Sequence, residues 1–409
     1  MAEDTEWRFL ERDHYMDKIV AGKGTPFVKV LTGIRRCGKS TLLRMFRDHL
    51  ISSEISEDDI LYLNFDEWDD SLPSTDRELM NHINSKMAPG RGRYILLDEV
   101  QNIKDWENAV TFLYSSGADV YITGSNSNML SSELATRLSG WSITIHIAPL
   151  SFSEYVGFRK DDLDHDTLFR DYIRDGGLPA IALSEDMPGR ELIPQMISGT
   201  YETVYAKDVI DRHSIRDPAV LRNLLRFIMR NIGDRTSPKK ISSYLTGAGR
   251  KTSHVTIENY LEYLEDAHLI SRAERIDSKT RDYLQTTDKF YATDLGIRHI
   301  IAPYKPDDID GIMENIVFNE LVYRYGDAAV LDVEGTEVDF VVNWNGMPEY
   351  FQVCYSLGDK TTLEREMRPF TMIGDNYPKT VITFERYILD DIDGVRVVRL
   401  IDWLLESHQ

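Results

Sequence analysis

The chain has 409 residues, 42% of them apolar and 10% aromatic, which is ample for packed cores and too much for one, so two or three globular domains are expected. It contains no run of 18 or more apolar residues, and its charged start, MAEDTEWRFLERDHYMDK, does not read as a secretory signal; a cytoplasmic protein with no membrane partner is expected. Cys37 and Cys354 are too few for a disulfide framework or a Cys-based zinc site, and a formal charge of -21 opposes wholesale wrapping of nucleic acid while leaving a local basic face open.

From Phe27 to about Leu150 the apolar runs FVKVLTG, ILYLNF, YILLDEV, DVYITGS and ITIHI alternate with amphipathic segments at Lys39 to Leu50, Arg77 to Met87 and Trp106 to Ser115. Buried parallel strands joined by crossover helices read this way, so a doubly wound α/β domain is expected. From about Ser151 to Asp294 helical periods dominate. Leu221, Leu224, Leu225, Ile228 and Met229 mark one helix, Ile241 and Leu245 a second, and Ile257, Tyr260, Leu261 and Leu264 a third. LISRAERI and KFYATD follow as a hairpin, which is the order of a winged helix-turn-helix. Beyond about Ile312 the alternation IMENIVFNELVYRY, AAVLDV, EVDFVVN, YFQVCYS, LEREMRPFTMI, TVITF, VRVVRLI predicts a second, independent α/β domain.

The strongest local signal is GIRRCGKST, in which Gly33, Gly38, Lys39 and Ser40 match the phosphate-loop spacing G-x-x-x-x-G-K-[ST] between a strand and a helix. The segment Gly33, Ile34, Arg35, Arg36, Cys37, Gly38, Lys39, Ser40, Thr41 would cradle phosphates with backbone N–H groups. Lys39 would neutralise β- and γ-phosphate charge and Ser40 would sit on magnesium. YILLDEV supplies paired carboxylates, Asp98 for the magnesium shell and Glu99 to orient or deprotonate the attacking water. Past the strand VYIT, either Ser125 or Asn126 can reach the γ-phosphate or the water. Arg137 is either an arginine finger or a solvated helix residue, and Arg35 and Arg36 either touch phosphate or form salt bridges.

TGIRRCGKSTLL, ILLDEVQNIKDWE, ITGSNSNMLSSELATRLSG, APLSFSEY and GGLPA, with YLEDAHLI, KFYATDLGIR, ENIVFNEL, EVDFVV and FQVCYS, together resemble the prokaryotic AAA-type ATPases that carry a C-terminal domain of unknown function. The resemblance spans nearly the whole chain. It implies ATP rather than guanine nucleotide, and a core of strand order 5-1-4-3-2 at 1–150. It further implies a helical lid at 151–215, a winged helix-turn-helix at 216–300, and a second α/β domain similar to restriction endonucleases, expected inactive, at 301–409. Two positions depart from the pattern. Trp141 stands where related sequences continue with arginine, which puts trans activation in doubt. In the nuclease-like site, Glu314, Asp339 and Gln352 fall at plausible places, but Cys354 occupies the lysine position, with Lys360 as a spatial substitute.

Residues 207–300 carry 17 Lys plus Arg against 13 Asp plus Glu, a basic segment within an acidic chain. Arg250, Lys251, Ser253, His254 and Thr256 approach or open the third helix, and Lys279 and Arg281 lie in the presumptive wing, so duplex DNA is one possible partner and an unknown protein the other. Glu258, Glu262, Glu265 and Asp266 on that helix count against extensive groove insertion. The expected function is a magnesium-dependent ATPase switch, alternating between ATP and ADP, whose C-terminal half recognises a partner. The alternatives are a nucleotide-responsive DNA-binding regulator with little turnover and a metal-dependent nuclease.

Overall fold

The structure is a computed structural model that describes residues 12–67, 71–87, 93–126, 140–159, 163–184, 190–280, 282–284, 287–358, 360–386 and 390–406. It forms two compact units, one of Met1–Ala148 with Asp266–His268, the other of Pro149–Glu265 with Leu269–Gln409. Among the described residues no helix is long and apolar enough to cross a membrane.

The first unit runs α1 (Asp13–Ala21), β1 (Val28–Thr32), α2 (Lys39–Ser52), β2 (Ile60–Asn64), α3 (Asp76–Lys86), β3 (Tyr94–Asp98), α4 (Trp106–Ser115), β4 (Asp119–Gly124) and β5 (Ser142–His146). All five strands are parallel in the order β2-β3-β4-β1-β5, the expected 5-1-4-3-2. The central strands are apolar on both faces because helices cover both. Val28, Val30, Ile95, Leu97, Val120 and Ile122 pack with Leu79, Ile83, Val110 and Leu113 of α3 and α4. Tyr121, on the opposite face, meets Phe46 of α2 with ring centroids 4.4 Å apart. Each such fully buried side chain contributes about 1.5–3 kcal/mol relative to exposure.

The second unit begins with α5 (Phe152–Phe158), α6 (His165–Asp175), α7 (Pro179–Ser184) and α8 (Ile193–Thr203), the last continuing as a π-helical turn over Val204–Asp211. Ser151 and Glu154 of the APLSFSEY motif form a reciprocal capping box at the start of α5, satisfying two backbone donors. Next come α9 (Pro218–Arg230), α10 (Pro238–Gly247) and α11 (His254–Asp266), then β6 (Ile270–Ala273), β7 (Arg275–Asp277), β8 (Lys289–Ala292) and α12 (Leu295–Ile301). Leu221, Leu224, Leu225, Ile228 and Met229 of α9, Ile241 and Leu245 of α10, and Ile257, Leu261 and Leu264 of α11 are buried, as their periodicity predicts.

The chain then runs α13 (Ile309–Tyr325), β9 (Ala329–Val333), β10 (Thr336–Trp344), β11 (Met347–Cys354), α14 (Lys360–Met372), β12 (Lys379–Thr383), β13 (Asp391–Ile392), β14 (Val395–Arg399) and α15 (Leu400–Leu405). Its strands form a mixed sheet ordered β13-β14-β12-β11-β10-β9-β7. The run LISRAERI divides where a single hairpin strand is expected. β6 pairs with β8 in an antiparallel ribbon, whereas β7 pairs with β9 in the mixed sheet, where Arg275 also forms an ion pair with Asp332.

Two motifs far apart in sequence, GGLPA and YATDLG, meet at the buried Asp294. Its carboxylate accepts from the Gly177 N–H at 2.8 Å and the Ile297 N–H at 3.0 Å. A Cβ on Gly176 (φ +82°) would lie 2.4 Å from that carboxylate, so the position excludes a side chain. Replacing Asp294 with Ala leaves these buried donors unpaired. At about 1–3 kcal/mol per donor, the urea unfolding midpoint should fall by the equivalent of roughly 3 kcal/mol.

Candidate functional site

At the end of β1 the chain makes a loop that only glycine permits at its first position. A Cβ on Gly33 (φ +148°) would stand 2.2 Å from the Ile147 carbonyl oxygen. Gly38 (φ 105°) caps α2, so Lys39, Ser40 and Thr41 form the first helical turn, whose N–H groups have no intrahelical acceptor. Such a helix start favours anions. Arg12, buried in the N-terminal segment, braces the loop by donating Nη1 to the carbonyls of Cys37 and Ala148, each at 3.0 Å. Cys37 is buried, and burial pushes its thiol up, which makes it a packing residue. Lys39 Nζ donates to the carbonyls of Gly33 at 2.9 Å and Ile34 at 3.2 Å. Arg35 is half-buried and Arg36, in a left-handed conformation (φ 67°), is exposed.

β3 delivers the two acids to the same end of the sheet. Asp98 is fully buried; its Oδ2 accepts from the Tyr62 hydroxyl at 2.9 Å and its Oδ1 from the Thr123 hydroxyl. Burial raises the Asp98 carboxyl above its ordinary value, while hydrogen bonds from Thr123, Ser40 and Tyr62 oppose that rise. Glu99 takes a left-handed backbone (φ 55°), with its N–H on the Thr123 hydroxyl at 2.8 Å and its Oε1 3.6 Å from Lys39 Nζ. Thr123 therefore braces both acids. Neither Thr123, Tyr62 nor Arg12 is legible as a site residue from spacing; the only hint for Thr123 is a hydroxyl one residue before the end of the strand beside Asp98.

Ser125 and Asn126 are buried just beyond β4, and the register Thr32↔Gly124 sets them beside the phosphate-loop strand. Arg137 lies outside the described residues. Trp141 is half exposed and packs on Tyr114, ring centroids 5.8 Å apart. Among the described residues no group of three His, Cys, Asp or Glu side chains is arranged to hold a metal. Magnesium does not need one, since it keeps waters and phosphate oxygens, and a hydroxyl hydrogen-bonded to one carboxylate, Ser40 with Asp98, is a donor set that fits it.

The acids of the second unit have a different counter-ion from the one expected. Lys360 is exposed on α14 and pairs with Glu364 at 3.6 Å, so it does not reach them. Lys289 of β8 enters instead, its Nζ 2.6 Å from both Glu314 and Glu337 and 3.6 Å from Asp339. Asp339, its carboxyl pushed up by burial and then by the Glu314 charge, also accepts from the Val353 N–H at 2.9 Å. Gln352 donates to Glu366 at 2.9 Å, and burial pushes the Cys354 thiol up to about 12. On the basic segment Arg250, Lys251, Ser253 and His254 are exposed, but Lys279 is paired with Glu334 at 2.7 Å. Thr256 is half-buried, and Arg281 lies outside the described residues. Arg272 of β6 draws Glu265 (2.7 Å) and Glu258 (3.7 Å) into ion pairs.

His146 closes β5 and tilts against His268, ring centroids 4.7 Å apart. Burial first, and then the Lys39 charge, hold His146 down at about 4, against 6.5 ordinarily. A lowered histidine stabilises the fold above its unfolded value and ceases to as pH falls through the folded one. In thermal melts taken stepwise from pH 6.5 to 4, the parent should therefore lose stability relative to a His146→Gln variant.

Comparison with known proteins matches residues 25–156 to an AAA domain and residues 166–308 to a domain of unknown function, DUF8612. An uncharacterized protein of Haemophilus influenzae is 34% identical over 97% of this chain and 99% of its own. An uncharacterized protein of Methanocaldococcus jannaschii is 29% identical over 92% of this chain and 88% of its own. Among solved structures, the Walker-type ATPase PABY2304 of Pyrococcus abyssi shares the fold, with a TM-score of 0.50 and 14% identity over 72% of this chain and 96% of that one.

Proposed function

We propose that this chain, which belongs to the family of AAA-domain P-loop ATPases, hydrolyses ATP with magnesium and works as a nucleotide-driven switch whose C-terminal half recognises a partner. The observation that carries this reading is the convergence of Lys39, Ser40, Asp98 and Glu99 at one end of the parallel sheet, with Lys39 Nζ 3.6 Å from Glu99 Oε1. Ligands of open α/β sheets bind at the carboxyl ends of the strands, where helix N-termini meet phosphate.

In this reading the loop from Gly33 to Thr41 cradles the phosphates and Lys39 neutralises charge on them. Glu99 accepts the proton of the attacking water, and Ser125 or Asn126 senses the γ-phosphate. Ser40 and Asp98 would hold Mg2+, which when bound supplies charge neutralisation between the β- and γ-phosphates. Residues 151–215 act as the lid, 216–300 as a winged helix and 301–409 as a nuclease-like domain without activity, the last supported by the pairing of Lys289 with its acids.

Lys39→Ala should weaken ATP binding about ten- to a hundredfold, a loss of one charge-assisted contact, read by calorimetry. Glu99→Gln should bind ATP as the parent does while turnover falls by about two or more orders of magnitude. Parental binding in a folded Lys39→Ala protein removes the phosphate-loop assignment.

For the partner, duplex DNA is tested by salt titration from low ionic strength. Neutralising the exposed Arg250 and Lys251 should flatten the dependence of log affinity on log salt by up to about 1.8, at ~0.9 per phosphate contact. A parental slope in that variant assigns the segment to a protein partner.

A further inference from the structure

One side chain beside Glu99 has a role that no motif assigns. The left-handed backbone of Glu99 (φ 55°) turns the chain sharply after β3 into the short 3-10 turn Val100–Asn102, and this brings Gln101 back over its neighbour. Gln101 Nε2 donates to Glu99 Oε2 at 2.5 Å, while the other carboxylate oxygen faces Lys39. The amide can sit only this way round, because the reverse would set its oxygen against a carboxylate oxygen. Gln101 Oε1, beside Glu99, is shielded from solvent and without a hydrogen-bond partner among the described residues. Buried acceptors are ordinarily satisfied, and one left open beside a general base points to a donor that arrives with the substrate.

We propose that Gln101 orients the attacking water of ATP hydrolysis. A water has two hydrogens, and a single acceptor leaves it free to rotate about one bond. With Glu99 accepting one hydrogen and Gln101 Oε1 the other, the oxygen lone pair is aimed at the γ-phosphorus. The new O–P bond forms as the bond to the β–γ bridging oxygen breaks, whose electron pair leaves with ADP. Glu99 takes one water proton, and the second stays on the phosphate product. Nε2 does a separate task, holding the Glu99 carboxylate against rotation. The inference rests on the ATPase reading above and adds to it a residue outside the phosphate loop and the paired acids.

The test is steady-state ATP turnover of the full chain. Gln101→Met keeps length but removes both the acceptor and the donor; kcat should fall about 10- to 100-fold, the range of a misplaced or unassisted nucleophile, with KM for ATP changed less than about threefold. Gln101→Asn keeps an amide but withdraws it by one methylene, so kcat should again fall about tenfold or more with KM nearly parental, and this variant decides the matter if the first fails to fold. Parental kcat in whichever of the two variants folds overturns the proposal. If turnover is lost in Lys39→Ala and Glu99→Gln yet parental in Gln101→Met, only this inference fails. If the parent has no turnover, or Lys39→Ala retains it, the ATPase reading fails and takes the inference with it.

Discussion

A carboxylate with no exposure to water organises the nucleotide-binding unit. Asp98 sits at the end of the second strand from the sheet edge, and hydroxyls from three other elements answer it: Tyr62 from β2, Thr123 from β4 and Ser40 from α2. Desolvating a carboxylate costs several kcal/mol unless its lone pairs are used, so each of those elements is held at the depth where its hydroxyl reaches Asp98. The helix that carries the phosphate loop is thus tied to the strand that carries the acids. Thr123 extends the tie by accepting the Glu99 N–H, which fixes the turn that follows.

Close backbone approach sets the other side of the site. Gly33 lies so near the Ile147 carbonyl that no side chain fits, and Arg12 bridges the carbonyls of Cys37 and Ala148 from beneath. The loop is therefore braced from both ends, and the first-turn N–H groups of Lys39, Ser40 and Thr41 have no intrahelical acceptor. Preorganised donors of this kind need no rearrangement when an anion develops charge, which is the physical basis of electrostatic catalysis. Two neutral imidazoles, His146 and His268, complete the surroundings of Lys39, and their burial keeps further positive charge out of the site at neutral pH.

In the second unit ionic contacts join segments that the chain separates widely. Lys289 of β8 gathers Glu314 of α13 with Glu337 and Asp339 of β10, and Asp294 gathers the backbone of Gly177 and Ile297. A buried ammonium among three carboxylates already supplies the positive charge that a divalent cation would bring. The pocket is accordingly a fastening between the β6–β8 ribbon and the mixed sheet.

The sequence by itself determined the parallel strands, the helices of both units, the phosphate loop and the acids Asp98 and Glu99. These are encoded locally, by apolar runs of strand length, by 3.6-residue periodicity and by glycines at required spacing, so each can be read within a window of a few residues. Tertiary structure decided what depends on register and on side chains meeting across elements. It divided LISRAERI between two sheets, because β8 and β9, which pair with its two halves, are distant in the chain. It chose Lys289 over Lys360 as the partner of Glu314, Glu337 and Asp339, because Lys289 is buried on the ribbon and Lys360, at the start of α14, is exposed. It brought Arg12, Tyr62 and Thr123 to the site, 25 residues or more from the loop or acid they serve. Gln101 is the instructive intermediate: it lies two residues from Glu99 in the sequence, but only a left-handed turn, braced by a hydroxyl from another strand, folds its amide onto the carboxylate.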